Sequence, residues 1–176
     1  HSHMGVYPAP SLRSNSDGNE ATSPTTPHVW AEHSVWTQDP QYTLALKGGI
    51  TSFHVLVGSA KLIGGRGVTL KNIRSRTVQG MKFPNAPYTL KMACGENPKR
   101  VYGGRKSEPS TRMGNVAGYR NAWIEAQAYQ RRLTEYAEKS DEAKEMSYSP
   151  SRDLGLETLV GVLEGDILVQ MHCYRG

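Results

Sequence analysis

The 176-residue sequence predicts an α/β fold built around a parallel sheet. Three observations carry that expectation. Ile50 to Val57 is rich in β-branched residues and nearly continuous in apolar character, which is how a strand covered on both faces reads; a strand with one wet face would alternate. Asn115 to about Glu145 is dominated by Ala, Glu, Gln, Arg and Lys, the composition of a long helix. Further strand candidates alternate with helical stretches, the pattern of βα units.

In chain order, Gly5 to Pro40 is full of Ser, Thr, Asn, Pro and Gly and shows neither helical nor strand periodicity. So long a structureless stretch is a functional loop or disorder, and Val29, Trp30 and Trp36 within it favour an ordered loop over a site. Tyr42–Lys47 reads as a short helix ended by Gly48-Gly49. Val68–Ile73 is the second strand candidate after Ile50–Val57, and Tyr88–Ala93 the third, set off by Pro87 and Gly95. In the long helix Trp123, Ile124, Tyr129, Leu133 and Tyr136 recur at helical spacing. Ser147–Ser151 is a break. Asp153 caps a shorter helix running to Leu163 and closed by Gly165. Ile167 to His172 is another strand of buried character, ending in a histidine.

Composition narrows the function classes. Apolar residues make up 37% of the chain, and no run approaches the roughly 18 apolar residues of a membrane span. No charged segment followed by an apolar one reads as a signal peptide. The formal charge of +5 is spread without the aromatic interleaving of a nucleic-acid stripe, so a solvated surface suited to an anionic substrate is expected, and no nucleic-acid partner. Cys94 and Cys173 lack metal-type spacing and make no disulfide framework, so a reducing, cytoplasmic setting is the expectation.

Four stretches carry candidate chemistry. In His1-Ser2-His3, residues two apart point to one face of an extended chain, so both imidazoles can reach one ion. Taken alone, that stretch also reads as the remnant of a cut affinity tag. His172 ends an apolar strand, where it is either a satisfied core histidine or a site residue. Lys91 lies inside an apolar strand with Glu96 just beyond it. A lysine pointing into a core is costly unless it is paired or chemically altered; the alternative is that Lys91 snorkels outward and Glu96 starts an ordinary turn. Gly58 to Gly67 follows a strand but has neither the Walker nor the dinucleotide-binding order, leaving a substrate loop or a plain turn.

Taken together, these segments resemble the amidohydrolase superfamily, specifically its imidazolonepropionase-related branch. His1 to Pro8 looks like the branch's His-Ser-His-Met-Gly-Val-Tyr-Pro stretch at the end of the first barrel strand. Leu44 to Ser52 resembles its entry into the second strand. Val57–Gly65, Leu90–Gly103 and Gln170–Arg175 are similar to further blocks in the same order. The resemblance implies a partial (β/α)8 TIM barrel, with parallel strands 1 to 5 and intervening helices. It implies one or two divalent metal ions, Zn2+ first, and a metal-dependent hydrolase acting on the carbon–nitrogen bonds of cyclic amides or dipeptide-like substrates. Carried over residue by residue, His1 and His3 match the ligands of strand one and His172 the histidine of strand five. Lys91 aligns with the lysine that becomes carboxylated to bridge two metals, with Glu96 as the rival bridging ligand. No residue matches the family's strand-six histidine or the catalytic aspartate of strand eight, so the chain by itself is expected to be inactive.

The whole of 1–176 is therefore expected to be one fragment of the barrel: 1–40 the long strand-1 loop, 41–113 the region of strands 2 to 4, 114–164 helices and 165–176 strand 5. Asp17, Asn19, Glu20, Arg66 and Arg112 are the candidate substrate contacts, for a small-molecule substrate. Three rivals remain: a deaminase of the same superfamily, a non-catalytic anion-binding module, and a small enzyme that completes its site across a homo-oligomer.

Overall fold

The computed structural model describes residues 1–175. Its centre is a four-stranded mixed sheet in the order β1-β2-β3-β4, formed by Ser52–Val55, Ile63–Lys71, Thr89–Gly95 and Leu168–Tyr174. Five α-helices accompany it: α1 (Gln41–Lys47), α2 (Glu96–Gly103), α3 (Arg112–Ala137), α4 (Asp141–Glu145) and α5 (Leu154–Leu163).

The strands are not all parallel, which corrects the sequence expectation. β1 and β2 pair antiparallel, as do β2 and β3, while β3 and β4 are parallel. Ser2 adds a parallel bridge to Val55. Every strand therefore runs the same way as the Ser2 segment except β2. The cause is connection length. A parallel crossover needs about a dozen residues or more, and only the seven residues 56–62 separate β1 from β2. The four helices α2 to α5 supply such a crossover between β3 and β4.

β2 begins at Ile63, inside the stretch expected to be a glycine-rich loop. Gly65 allows it: a Cβ there would collide with the Val29 carbonyl. That close approach lets Arg66 N donate to Val29 O at 2.8 Å, and Thr25 and Trp30 form parallel bridges to Ile63 and Arg66. The Gly5–Pro40 segment is thus ordered by hydrogen bonds to β2 rather than by periodic structure of its own.

The helices follow their end signals. Asp153 accepts from Leu156 N at 2.8 Å and caps α5, and Gly49, at φ +86°, ends the turn after α1. Thr111 caps α3 through Gly114 N. The expected long helix breaks after Ala137, and Ser140 caps α4 as a separate turn. Helix α2 forms where the sequence reading offers either a bridging carboxylate or an ordinary turn at Glu96. Pro98 is its third residue, within the first turn, where a helix needs no backbone donor.

Two apolar clusters hold these parts. One joins Val6, Ala31 and Tyr42 to Phe53, Val55, Val57, Val68 and Leu70. The other packs Leu62, Ile63, Leu90 and Met92 against Ala122 and Ala126 of α3, Leu159 of α5 and Ile167. Burying one such Leu or Met contributes about 1.5–3 kcal/mol. By contrast β4, read from sequence as buried, is exposed: Leu168, Val169 and Met171 are 42–50% accessible. It is the last strand of the sheet order, and no described strand covers its outer edge.

The cysteines also correct the sequence reading. Cys94 and Cys173, 79 residues apart, face each other in the β3–β4 register and are joined by a disulfide. Spacing in the chain gave no hint of this, because only strand register brings them together. No helix among the described residues is long and apolar enough to cross a membrane.

Candidate metal centre

The site grows from the backbone of Ser2. Ser2 N donates to His54 O at 2.7 Å and Ser2 O accepts from Leu56 N at 3.2 Å, which pins the first residues alongside β1. His1 and His3, flanking Ser2, bring their rings to 5.3 Å between centroids. Tyr7 stacks on His3 at 5.5 Å with 15° between planes. A tight turn makes this contact, with Val6 N and Tyr7 N both donating to His3 O. Tyr7 is held in turn by Asn19, whose Nδ2 donates to the Tyr7 hydroxyl at 2.6 Å.

Lys91 comes from the middle of β3. It is 2% exposed, and its Nζ donates to the Val57 carbonyl at 3.4 Å, so it points inward rather than snorkelling. Burial holds its amine below the ordinary lysine range. His3 is held below the usual histidine range first by burial, then by the Lys91 ammonium and the chain-terminal amine. Lys91 is therefore a neighbour of His3, and at neutral pH His3 carries the free lone pair a ligand needs.

His172 lies opposite Ala93 in the β3–β4 register, on the same face of the sheet as Lys91. Its Nε2 and the Asn97 amide are 3.3 Å apart. Glu96 opens α2 and sits 3.9 Å from Arg175, with a half-exposed side chain. Among the described residues no three His, Cys, Asp or Glu side chains gather as a ready metal cage. The fit of a divalent ion thus rests on the His1–His3 pair beside a buried, desolvated lysine: two nitrogen donors suited to Zn2+, and a third group that becomes an oxygen donor only if carboxylated.

Of the expected substrate contacts, Asp17, Asn19 and Glu20 line one small cavity of about 180 Å³ with Trp30 and Val57. Val57 is the residue whose carbonyl meets Lys91. Arg66 is drawn elsewhere. Its guanidinium stacks on Trp30 at 4.2 Å, and its Nε donates to Thr158 of α5 at 2.9 Å. Arg112, at the start of α3, donates to the Arg175 carbonyl. A larger cavity of about 570 Å³ lies between α1 and the residues after β2, where none of the candidate residues lines it.

Sequence reasoning missed Tyr7, His54, Lys61 and Asn97. His54 bridges two strands, with Nδ1 2.8 Å from Thr69 Oγ1 and Nε2 2.7 Å from Thr89 Oγ1. Its place in the apolar Ile50–Val57 run was the available signal. Lys61 lay inside a glycine-rich stretch that drew attention to its backbone alone.

No family model matches the chain. The chain is 37% identical over 186 residues to a protein named Amidohydrolase tasK from Hapsidospora irregularis, an alignment covering 99% of this chain and 19% of that protein. It also superposes on the crystal structure of an amidohydrolase from Thermotoga maritima MSB8 with a TM-score of 0.87 and 40% identity, covering 98% of this chain and 43% of that one. The chain thus spans less than half the length of either relative.

Proposed function

These two alignments support membership of the amidohydrolase family, and on that premise we propose that the chain forms part of a metal-dependent hydrolase of carbon–nitrogen bonds, of the imidazolonepropionase-related branch. The observation that carries the reading is the pairing of His1 and His3 next to buried Lys91. The relatives' fold also supports a partial barrel, in which β2 is the one reversed strand.

A divalent ion held here, Zn2+ by its donor set, would supply hydroxide at neutral pH by lowering the pKa of its water to about 7, and would polarise the scissile carbonyl. The protein's own part is orientation and charge. Tyr7 fixes the ring plane of His3, and Asn97 does the same for His172. Burial shifts the Lys91 amine toward the neutral form, whose lone pair would attack CO2 with loss of a proton, and the carbamate would offer an oxygen ligand near His3. Glu96 is the rival for that place. Asp17, Asn19 and Glu20 line the adjoining cavity, where they meet the polar groups of a cyclic amide or dipeptide-like substrate. Arg66 and Arg112 contribute through packing of the loop and the α3 terminus. No residue of this sequence matches the family's proton-transferring aspartate, so we expect the segment alone to support no turnover.

The test is a full-length protein carrying this segment, assayed on cyclic amides and dipeptides. Chelation should abolish hydrolysis, and His3→Ala or Lys91→Ala should lower kcat/KM by at least a hundredfold. Full activity in the chelated protein would overturn the reading. A deaminase would instead release ammonia from a ring carbon in the same assay.

A further inference from the structure

Lys91 reaches the Val57 carbonyl beside a break in the β2–β3 ladder. Ile63 pairs with Met92 and Arg66 with Leu90, so Gly64 and Gly65 of β2 together oppose Lys91 alone. Two residues against one make a β-bulge, which interrupts the ladder and re-aims the side chain beside it. Gly64 lies between the two partners. A Cβ there would come within 2.7 Å of Val57 Cγ2 and 3.0 Å of the Lys91 backbone oxygen, so any side chain would press on both.

Past the bulge the ladder resumes with the pairs Arg66–Leu90 and Gly67–Thr89. Gly67 gives Thr89 no cross-strand side chain to pack against. The ring of His54, reaching over from β1, takes that place. Its Nδ1 is 2.8 Å from Thr69 Oγ1 on β2, and its Nε2 is 2.7 Å from Thr89 Oγ1 on β3. A Cβ on Gly67 would lie 2.9 Å from that Nε2 and 2.6 Å from the Thr89 hydroxyl, so the glycine makes room for the bridge. Each hydroxyl can donate or accept, and the bridge therefore forms with either tautomer. Thr89 and Lys91, two apart on one strand, share a face of the sheet.

We propose that His54 is a positioning residue for Lys91: by bridging Thr69 and Thr89 it clamps β3 one pleat before the lysine and directs Lys91 past the Gly64–Gly65 bulge onto Val57. Without the clamp, β3 can turn about the interrupted ladder and carry the lysine off the Val57 carbonyl. What Lys91 does once placed rests on the hydrolase reading, whereas its placement does not.

The experiment compares Thr89→Val, which keeps the side chain's shape and removes the bridging hydroxyl, with Thr89→Ser, which keeps the hydroxyl. Proton NMR of the 176-residue chain, with lysine and valine labelled, reads the Overhauser contact between the Lys91 and Val57 side chains. Thr89→Val should reduce that contact by about half or more, and Thr89→Ser should retain it. His54→Phe, a ring of similar size without nitrogens, should match Thr89→Val. In a Co2+ titration, Thr89→Val should cut the enhancement of binding by bicarbonate by about threefold or more, with a smaller loss of bicarbonate-free affinity than in His3→Ala. An unchanged Lys91–Val57 contact in Thr89→Val, or an equal loss in Thr89→Val and Thr89→Ser, would overturn the positioning role even if His54→Phe fails to fold. The Overhauser contact needs no metal, so a chain that keeps this pattern but binds no Co2+ would sink the metal-centre reading and leave the placement of Lys91 supported.

Discussion

His172 of β4 sits opposite Ala93 of β3 in parallel register, which places it one pleat beyond Lys91 on the same sheet face. The alternation of β3 is what separates the roles of its residues. Leu90 and Met92 pack toward α3 and α5, while Lys91 turns to the opposite side and meets Val57. A one-residue slip of β4 against β3 would move His172 to the helix-covered face.

The disulfide guards that register. Cys94 and Cys173 flank Ala93 and His172 by one residue each and cross-link the same two strands. Closing a loop of this length is worth on the order of 2–4 kcal/mol. Reduction, or the Cys94→Ser/Cys173→Ser double variant, should lower the denaturation midpoint accordingly. Hydrogen exchange should show the loss of protection concentrated in β4, because its outer edge has no other strand to hold it. A denaturation curve indifferent to reductant would remove this role.

Acid should weaken the fold through His54 and His3. Both titrate below the ordinary histidine value of 6.5 in the folded chain, chiefly because burial disfavours the imidazolium. The unfolded chain takes up protons near pH 6.5 while the folded chain resists, so this stability is present above that pH. It is lost as pH falls through the lowered folded values. Urea unfolding from pH 8 to 5 should show a falling midpoint, and His54→Gln should give a shallower slope. The cost of that variant at pH 8 measures the hydrogen bonds to Thr69 and Thr89.

Lys61→Met should stabilise the empty chain. The ammonium is buried without a partner, and replacing it with an apolar side chain of similar length removes a desolvation cost. That cost is full below pH 8. It shrinks as pH rises from about 8 toward the ordinary lysine value of 10.5, a range in which the folded chain's Lys61 is neutral and the unfolded chain's still charged. Thermal unfolding at pH 7 and pH 10 should therefore show the variant's advantage at pH 7 and little of it at pH 10. An equal or reversed difference would mean that Lys61 has a partner after all.

Much of this was legible in the residues. The apolar run at Ile50–Val57 contains β1, Gly48-Gly49 ends α1, and Asp153 caps α5, because each depends on local backbone preference. A lysine between Leu90 and Met92 stands out in the sequence, which leaves inward and outward placements open; the fold buries it. What stayed hidden depends on contacts between distant segments. The reversal of β2 follows from a short connection whose end was masked by glycines, and those glycines serve the approach of Val29. The exposure of β4 could not be read from its apolar sequence, for burial depends on a covering element. Cys94 with Cys173, and Asn19 against Gly58 and Tyr7, are products of register and loop docking.

The most direct measurement on the central claim is a Co2+ titration of the N-acetylated chain, read by its visible absorption with and without bicarbonate. Acetylation removes the terminal amine as a donor. One tight site is expected, with the intense bands of low-coordinate cobalt bound to imidazole, strengthened by bicarbonate. His3→Ala and His172→Ala should each weaken it by at least tenfold, and Lys91→Met should erase the bicarbonate effect. Cobalt binding that is unchanged in His3→Ala and His172→Ala, or absent altogether, would contradict a metal centre at this place.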